Sequence, residues 1–449
     1  MGRHSDAPLT GTTSTDQRHG LSPVRRRNIL QALRRGTVPS DGLDQLAVGL
    51  GHLAPVIEEE LSAVAGGAGM FKAIRGEYGS GKTFASRWIE QLALEQDFAV
   101  AEVQISETDT PLHKLETVYR RTTEELRTTA SPTRAFRDVL DAWLATVDMD
   151  AEAAGRDRDE LIEERLSSVA QVAPVFPLAL RGYLRAVEED ESEIADGLAA
   201  WLGGQGNVSA AVKRYAGIKG ELDKFTATGF LRGLIEILRG AGQSGLLLVL
   251  DEVETLQRMR TDTREKSLNA LRQWLDEISN DRYPGLYLLI TGTTAFFEGG
   301  QGVKRLQPLY DRLRVDFCGD PRWDNPRAVQ IRLQSFDHAR LVEAGCRVRD
   351  LFVGGLSAEE ATRVGSTVSD DYVASLADAV AGELGGRIGV APRIFLRAVV
   401  DVLDRVELHA DFDPRVHYTV KVSEGEVGAS TGGSAALAEA LSDPDAIEF

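Results

Sequence analysis

A chain of 449 residues exceeds one ordinary compact domain, so two or three are expected. Its 43% hydrophobic and 27% charged residues are the balance of a globular protein and exclude a wholly disordered one. With 51 Lys and Arg against 69 Asp and Glu, the formal charge of −18 excludes a protein whose whole surface attracts DNA or an anionic membrane, so nucleic-acid contact needs a local basic patch or a partner.

Residues 1–22 are rich in Ser, Thr, Gly and charge and are expected to form a disordered tail without the apolar core of a secretory signal. SPVRRRNILQALRR, residues 22–35, predicts a basic helix with an apolar stripe of Ile29, Leu30 and Leu33. Its arginines form either a solvated face or a contact with phosphates or an acidic partner. Gly36 stops this helix, Val38-Pro39 predicts an extended segment, and a long amphipathic helix is expected from about Gly42 to Ala65.

Strands and helices then alternate. MFKAIR (70–75) is strand-like, Thr83 to Gln96 is helical, and FAVAEVQIS (98–106) is a second strand. GLLLVLDE (245–252) and YLLITGT (287–293) are short apolar runs, the pattern of buried parallel strands in an α/β sheet. Between them, residues 107–244 predict an almost wholly helical insertion, whose stretch 148–200 holds fourteen acids against five arginines. VQIRLQSF (329–336) predicts a last strand. Helical patterns at 337–353, 357–366, 370–385 and 391–408 predict a small helical domain, and the Gly-, Ser- and acid-rich end from about Ser423 is expected to be disordered. Cys318 and Cys346 are too few for a disulfide framework and fit a reducing cytoplasm, while apolar runs of about five to seven residues predict no membrane span.

Gly76-Glu77-Tyr78-Gly79-Ser80-Gly81-Lys82-Thr83 matches G-x-x-x-x-G-K-S/T between a predicted strand and helix, the context a phosphate-binding P-loop requires. Gly76, Gly79 and Gly81 permit positive φ and close approach of amide N–H groups to an anion, and the following helix, with Phe84 in its first turn, directs its dipole there. Lys82 supplies full charge to the β- and γ-phosphates, and the Thr83 hydroxyl suits magnesium. LLLVLDE ends in Asp251, a second magnesium ligand, and Glu252, which would polarise the attacking water. Because one acid suffices for the metal, the pair favours hydrolysis over binding alone.

Three weaker signals follow. Thr291 is preferred over Thr293 as a hydroxyl between Glu252 and the γ-phosphate. In PLYDRLRVDF (308–317), Arg312 precedes a predicted edge strand and is preferred over Arg314 and Arg305 as a finger on a neighbouring subunit's nucleotide. GVAPR (389–393) opens a helix with Pro392 in its first turn, placing Arg393 near the nucleotide if the helical domain closes over it.

This order of elements resembles an AAA+ ATPase, in the branch shared by origin-recognition ATPases and STAND NTPases. GTVPSDGL (36–43) resembles that branch's linker, which makes Val38 and Pro39 adenine-site candidates. RGEYGSGKT, QISETDTPLHKLETVYR, LLLVLDEVE, LLITGTTAFFEG and PLYDRLRVDF together resemble the BrxD family of ATP-binding proteins from BREX bacteriophage-exclusion systems, over roughly residues 22–410. The resemblance implies ATP rather than GTP and anti-phage defence beside a helicase-like partner. A finger at Arg312 implies a homo-oligomer, and the net charge leaves DNA to that partner or to a local basic patch. A slowly turning, ATP-gated switch or scaffold is the rival function. The expected fold is α/β: a P-loop AAA+-like parallel sheet with an inserted helical subdomain and a C-terminal helical lid. Its divisions are a tail at 1–22, an ATPase domain at 23–330, a lid at 331–410 and a terminal segment at 411–449.

Overall fold

The computed structural model describes residues 21–383 and 392–420; all but the last two residues of the tail expected at 1–22, the disordered end expected from about Ser423, and Gly389 to Ala391 of the GVAPR segment lie outside these residues. Helix α1, Pro23–Arg34, starts with Ser22 Oγ accepting from the Arg25 N–H, a cap ahead of a proline that lacks a donor. The long helix expected from Gly42 is broken: a single turn at Leu43–Gln45 and a loop precede α2, Ala54–Ala65. Gly42 and Gly49 take positive φ, and Pro55 belongs in a first helical turn because its ring excludes a helix interior.

Strand β1 (Met70–Arg75) leads into α3 (Lys82–Glu95), and β2 (Ala99–Gln104) follows. Eight helices come next: α4 Leu115–Glu124, α5 Phe136–Ala154, α6 Arg158–Arg165, α7 Ser167–Val172, α8 Val175–Glu188, α9 Ser192–Leu202, α10 Ala210–Tyr215 and α11 Lys224–Gly240. Then come β3 (Leu246–Asp251), α12 (Thr261–Ser279), β4 (Leu286–Gly292), α13 (Thr294–Glu298) and α14 (Gln307–Leu313). The last strand, β5, is only Gln330–Arg332. The edge strand expected after Arg314 is absent; residues 314–329 contain a single turn at Pro321–Trp323. The chain continues through α15 (His338–Val353), α16 (Ala358–Thr367), α17 (Asp370–Glu383), α18 (Pro392–Leu408) and α19 (Pro414–His417).

The five strands form one parallel sheet in the order β2-β3-β4-β1-β5. Alternation along each strand feeds two cores. Leu247, Val249, Tyr287 and Leu289 face α2 and α3. Leu246, Leu248, Leu250, Leu288 and Ile290 face the core that extends into the inserted helices. All six residues of β3 are buried, which explains its lack of alternating polarity. A third core joins α15 to α18 with Ile29, Leu30 and Leu33 of α1, so the basic helix packs with the C-terminal helices rather than on the sheet. Arg34 forms two 2.7 Å hydrogen bonds with the Asp404 carboxylate of α18, and Arg25 pairs with Asp41, which engages two of the charges noted in the sequence.

Candidate functional site

The carboxyl ends of parallel strands are where an open α/β sheet presents its loops to a ligand. A cavity of about 590 Å³ lies there, bounded by the loop after β1, the acids after β3, the α1–α2 linker and α18. Tyr78, Gly79, Ser80, Gly81, Lys82, Thr83 and Phe84 line it, together with Val38, Pro39, Asp251, Glu252 and Arg393. The sequence therefore singled out residues from four distant segments that the fold gathers around one space. Gly76 and Glu77 contribute from behind: their carbonyls each accept from the Lys82 ammonium at 3.3 Å.

The glycines act differently from one another. Gly79 and Gly81 have φ of 79° and 88°, values an L side chain resists. Gly76 does not have positive φ, contrary to expectation; it is small for lack of room, since a Cβ would lie 2.3 Å from Ser80 Oγ. Gly81 precedes α3 and no side chain caps that helix, which leaves its N-terminal N–H groups facing the cavity. Ser80 Oγ is buried with no hydrogen-bond partner. An unpartnered hydroxyl, a helix N-terminus and a lysine fit a phosphate group.

Thr83 Oγ1 donates to Asp251 Oδ2 at 3.2 Å. These hard oxygens fit a magnesium ion that keeps most of its ligands as water and phosphate oxygens. Thr291 is fully buried, and its hydroxyl donates to Asp251 while accepting from the Glu252 N–H at 3.2 Å. Thr291 thus orients the acid pair from within the sheet and does not lie between the Glu252 carboxylate and the cavity, because β4 buries it. Thr293 caps α13, accepting from the Phe296 N–H at 3.3 Å.

Glu252 has φ of 58°, a left-handed conformation that is uncommon outside glycine and concentrates at functional sites. Its carboxylate accepts from Gln104 Nε2, at the end of β2, at 2.9 Å. Arg312 lies on α14, where it pairs with Asp276 of α12 and donates to the Pro308 carbonyl at 2.5 Å; it does not line this cavity.

Gln104, Arg87 and Glu254 were not anticipated. Arg87 of α3 donates to the Val38 carbonyl at 3.3 Å and to Glu102 of β2 at 3.0 Å, tying the linker to the sheet. Burial raises the Glu102 carboxyl above its usual range, and Arg87 opposes the shift. Glu254 was visible only as the third acid of DEVE, and its position beside Lys82 depends on the turn of Val253–Arg258 that follows β3.

A family model described as BREX system ATP-binding protein BrxC/D matches residues 21–422. No curated protein matches the chain. The match spans the glycine loop, the acid pair, the inserted helices and the C-terminal helices, and the chain belongs to the BREX system ATP-binding protein BrxC/D family.

Proposed function

We propose that this chain is a magnesium-dependent ATPase of a bacterial anti-phage defence complex, hydrolysing ATP to ADP and phosphate. The convergence of Lys82, Thr83, Asp251 and Glu252 on one cavity carries this reading. Lys82 holds the phosphates, and Thr83 with Asp251 holds the metal, which when bound neutralises charge on the β- and γ-phosphate oxygens. Glu252 takes a proton from the attacking water as its oxygen bonds to the γ-phosphorus. The bond from that phosphorus to ADP breaks, and phosphate departs. Val38 and Pro39 enclose the base side of the cleft, and Arg393 reaches the nucleotide from the C-terminal helices.

The strand order, with the glycine loop after β1 and the acids after β3, supports an AAA+-like P-loop domain with α15 to α18 as its lid. Within the family, QISETDTPLHKLETVYR and TGTTAFF support BrxD over BrxC. The protein works in the cytoplasm as a homo-oligomer beside a helicase-like partner, which brings it to DNA. Among the described residues no helix is long and apolar enough to cross a membrane.

The Gln104–Glu252 bond favours one second reading, an ATP-gated switch or scaffold with slow turnover, because it engages the proposed base. Lys82→Ala tests the site itself. Loss of measurable ATP binding is expected from removing the charge central to the loop; affinity within a few-fold of wild type would sink the assignment.

A further inference from the structure

Three carboxylates gather at the phosphate end of the cavity, and two of them are held by hydrogen bonds from neutral side chains. Asp251 is held by Thr83 and Thr291, and Glu252 by Gln104. The third, Glu254, is only 4% exposed, lies 3.6 Å from the Lys82 ammonium through Oε1, and has no hydrogen-bond partner for its buried Oε2. An unsatisfied buried carboxylate oxygen is destabilising, and among the described residues the Lys82 ammonium is the one charged group paired with this acid. Val253 and Leu256 of the same turn are fully buried apolar groups that secure it.

The Lys82 ammonium lies 5.1 Å from the Tyr78 ring centroid and donates to the Gly76 and Glu77 carbonyls, with Glu254 as its carboxylate partner. Burial raises the Glu254 carboxyl above its ordinary range, Lys82 opposes that shift, and Asp251 and Glu252 reinforce it. The 3.6 Å pairing with Lys82 therefore sets a carboxylate beside the cation that a phosphate needs.

We propose that Glu254 sets the pocket's discrimination between nucleoside triphosphate and diphosphate, by competing with the phosphates for Lys82. This rests on the P-loop reading given above. Each anionic oxygen brought to Lys82 meets the Glu254 carboxylate at short range in a poorly screened environment, so repulsion grows with the charge of the phosphate chain. Glu254 weakens triphosphate more than diphosphate and leaves monophosphate least affected. The consequence is a site that releases triphosphate more readily than its lysine alone would allow.

The test is equilibrium binding of ATP, ADP and AMP to the full chain, wild type against Glu254→Gln, with Lys82→Ala as control. The amide matches the carboxylate in size and removes its charge. ATP should bind Glu254→Gln on the order of tenfold more tightly, ADP should gain less, and AMP should be unchanged. Glu254→Ala, with the same charge change and a different volume, should move the ATP-to-ADP ratio the same way and serves if the amide variant fails to fold. An unchanged ratio, or weaker binding of both nucleotides, in a chain whose wild type binds ATP and whose Lys82→Ala does not, overturns the proposal and leaves the P-loop reading intact. A wild type that binds no nucleotide overturns both.

Discussion

Gln104 Nε2 donates to Glu252 Oε2 at 2.9 Å, joining the last residue of β2 to an acid 148 positions later. The parallel pairing of Gln104 with Asp251 brings these two strand ends side by side, and the left-handed Glu252 backbone carries its side chain toward β2. One oxygen of the proposed base is thereby engaged. Gln104→Ala should leave ATP binding within a few-fold of wild type and raise basal turnover severalfold. Steady-state phosphate release checks this, and a fall in turnover would instead make Gln104 an aid to catalysis.

Thr291 serves two acids from one hydroxyl, donating to Asp251 and accepting from the Glu252 N–H. Thr291→Val keeps the shape and removes the partner that Asp251 Oδ1 and the Glu252 N–H share. A stability loss of about 1–3 kcal/mol is expected from chemical denaturation. Magnesium-dependent ATP affinity should also fall, because Asp251 loses the contact that orients it. A variant as stable as wild type would show that water replaces the hydroxyl.

Arg312 is paired with Asp276 on its own chain and lies outside its own cavity. As a partly exposed pair it contributes at most about 1 kcal/mol to stability. If instead it reaches a neighbouring copy's nucleotide, Arg312→Ala should bind ATP normally and lose turnover on the order of 10³-fold. Mixing it with Lys82→Ala should then restore activity at junctions with one intact loop and one intact arginine. Full activity in Arg312→Ala, or loss without rescue, counts against a shared site.

Glu90 of α3 is buried and pairs with Arg127, and burial outweighs that partner to push its carboxyl up from 4.5 to about 7. Between those values the folded chain binds more protons than the unfolded one. Stability from this group is therefore full below about pH 4.5 and falls as pH rises towards about 7, by roughly 3 kcal/mol at most. Glu90→Gln should gain stability relative to wild type as pH rises through that window. Denaturation curves at about pH 5 and about pH 8 measure the difference, and a pH-independent difference would place the titration elsewhere.

The parts of the site legible in the sequence are those where one local pattern carries the chemistry. The glycine loop and the Asp251-Glu252 pair each follow an apolar run, so burial and position were readable together. The acids' partners were not: Gln104 and Thr291 meet them only because β2, β3 and β4 pair in parallel register. Helix α1 shows the same limit. Its arginines were legible as charge, whereas the docking of Ile29, Leu30 and Leu33 against α15 to α18 depends on contacts more than 300 residues away. The expected helix from Gly42 failed because an amphipathic pattern outweighed two local breakers, Gly49 and Pro55.

On the proposed reading, Glu252 performs hydrolysis in a site where Lys82, Thr83 and Asp251 bind ATP and metal. Phosphate release by Glu252→Gln, measured beside wild type at saturating ATP and magnesium, tests it most directly. The amide cannot accept the water's proton, while the groups that hold nucleotide remain, so the account predicts retained ATP binding and no release above background. Release at the wild-type rate would contradict it and leave Glu252 as no more than the residue that ends the strand.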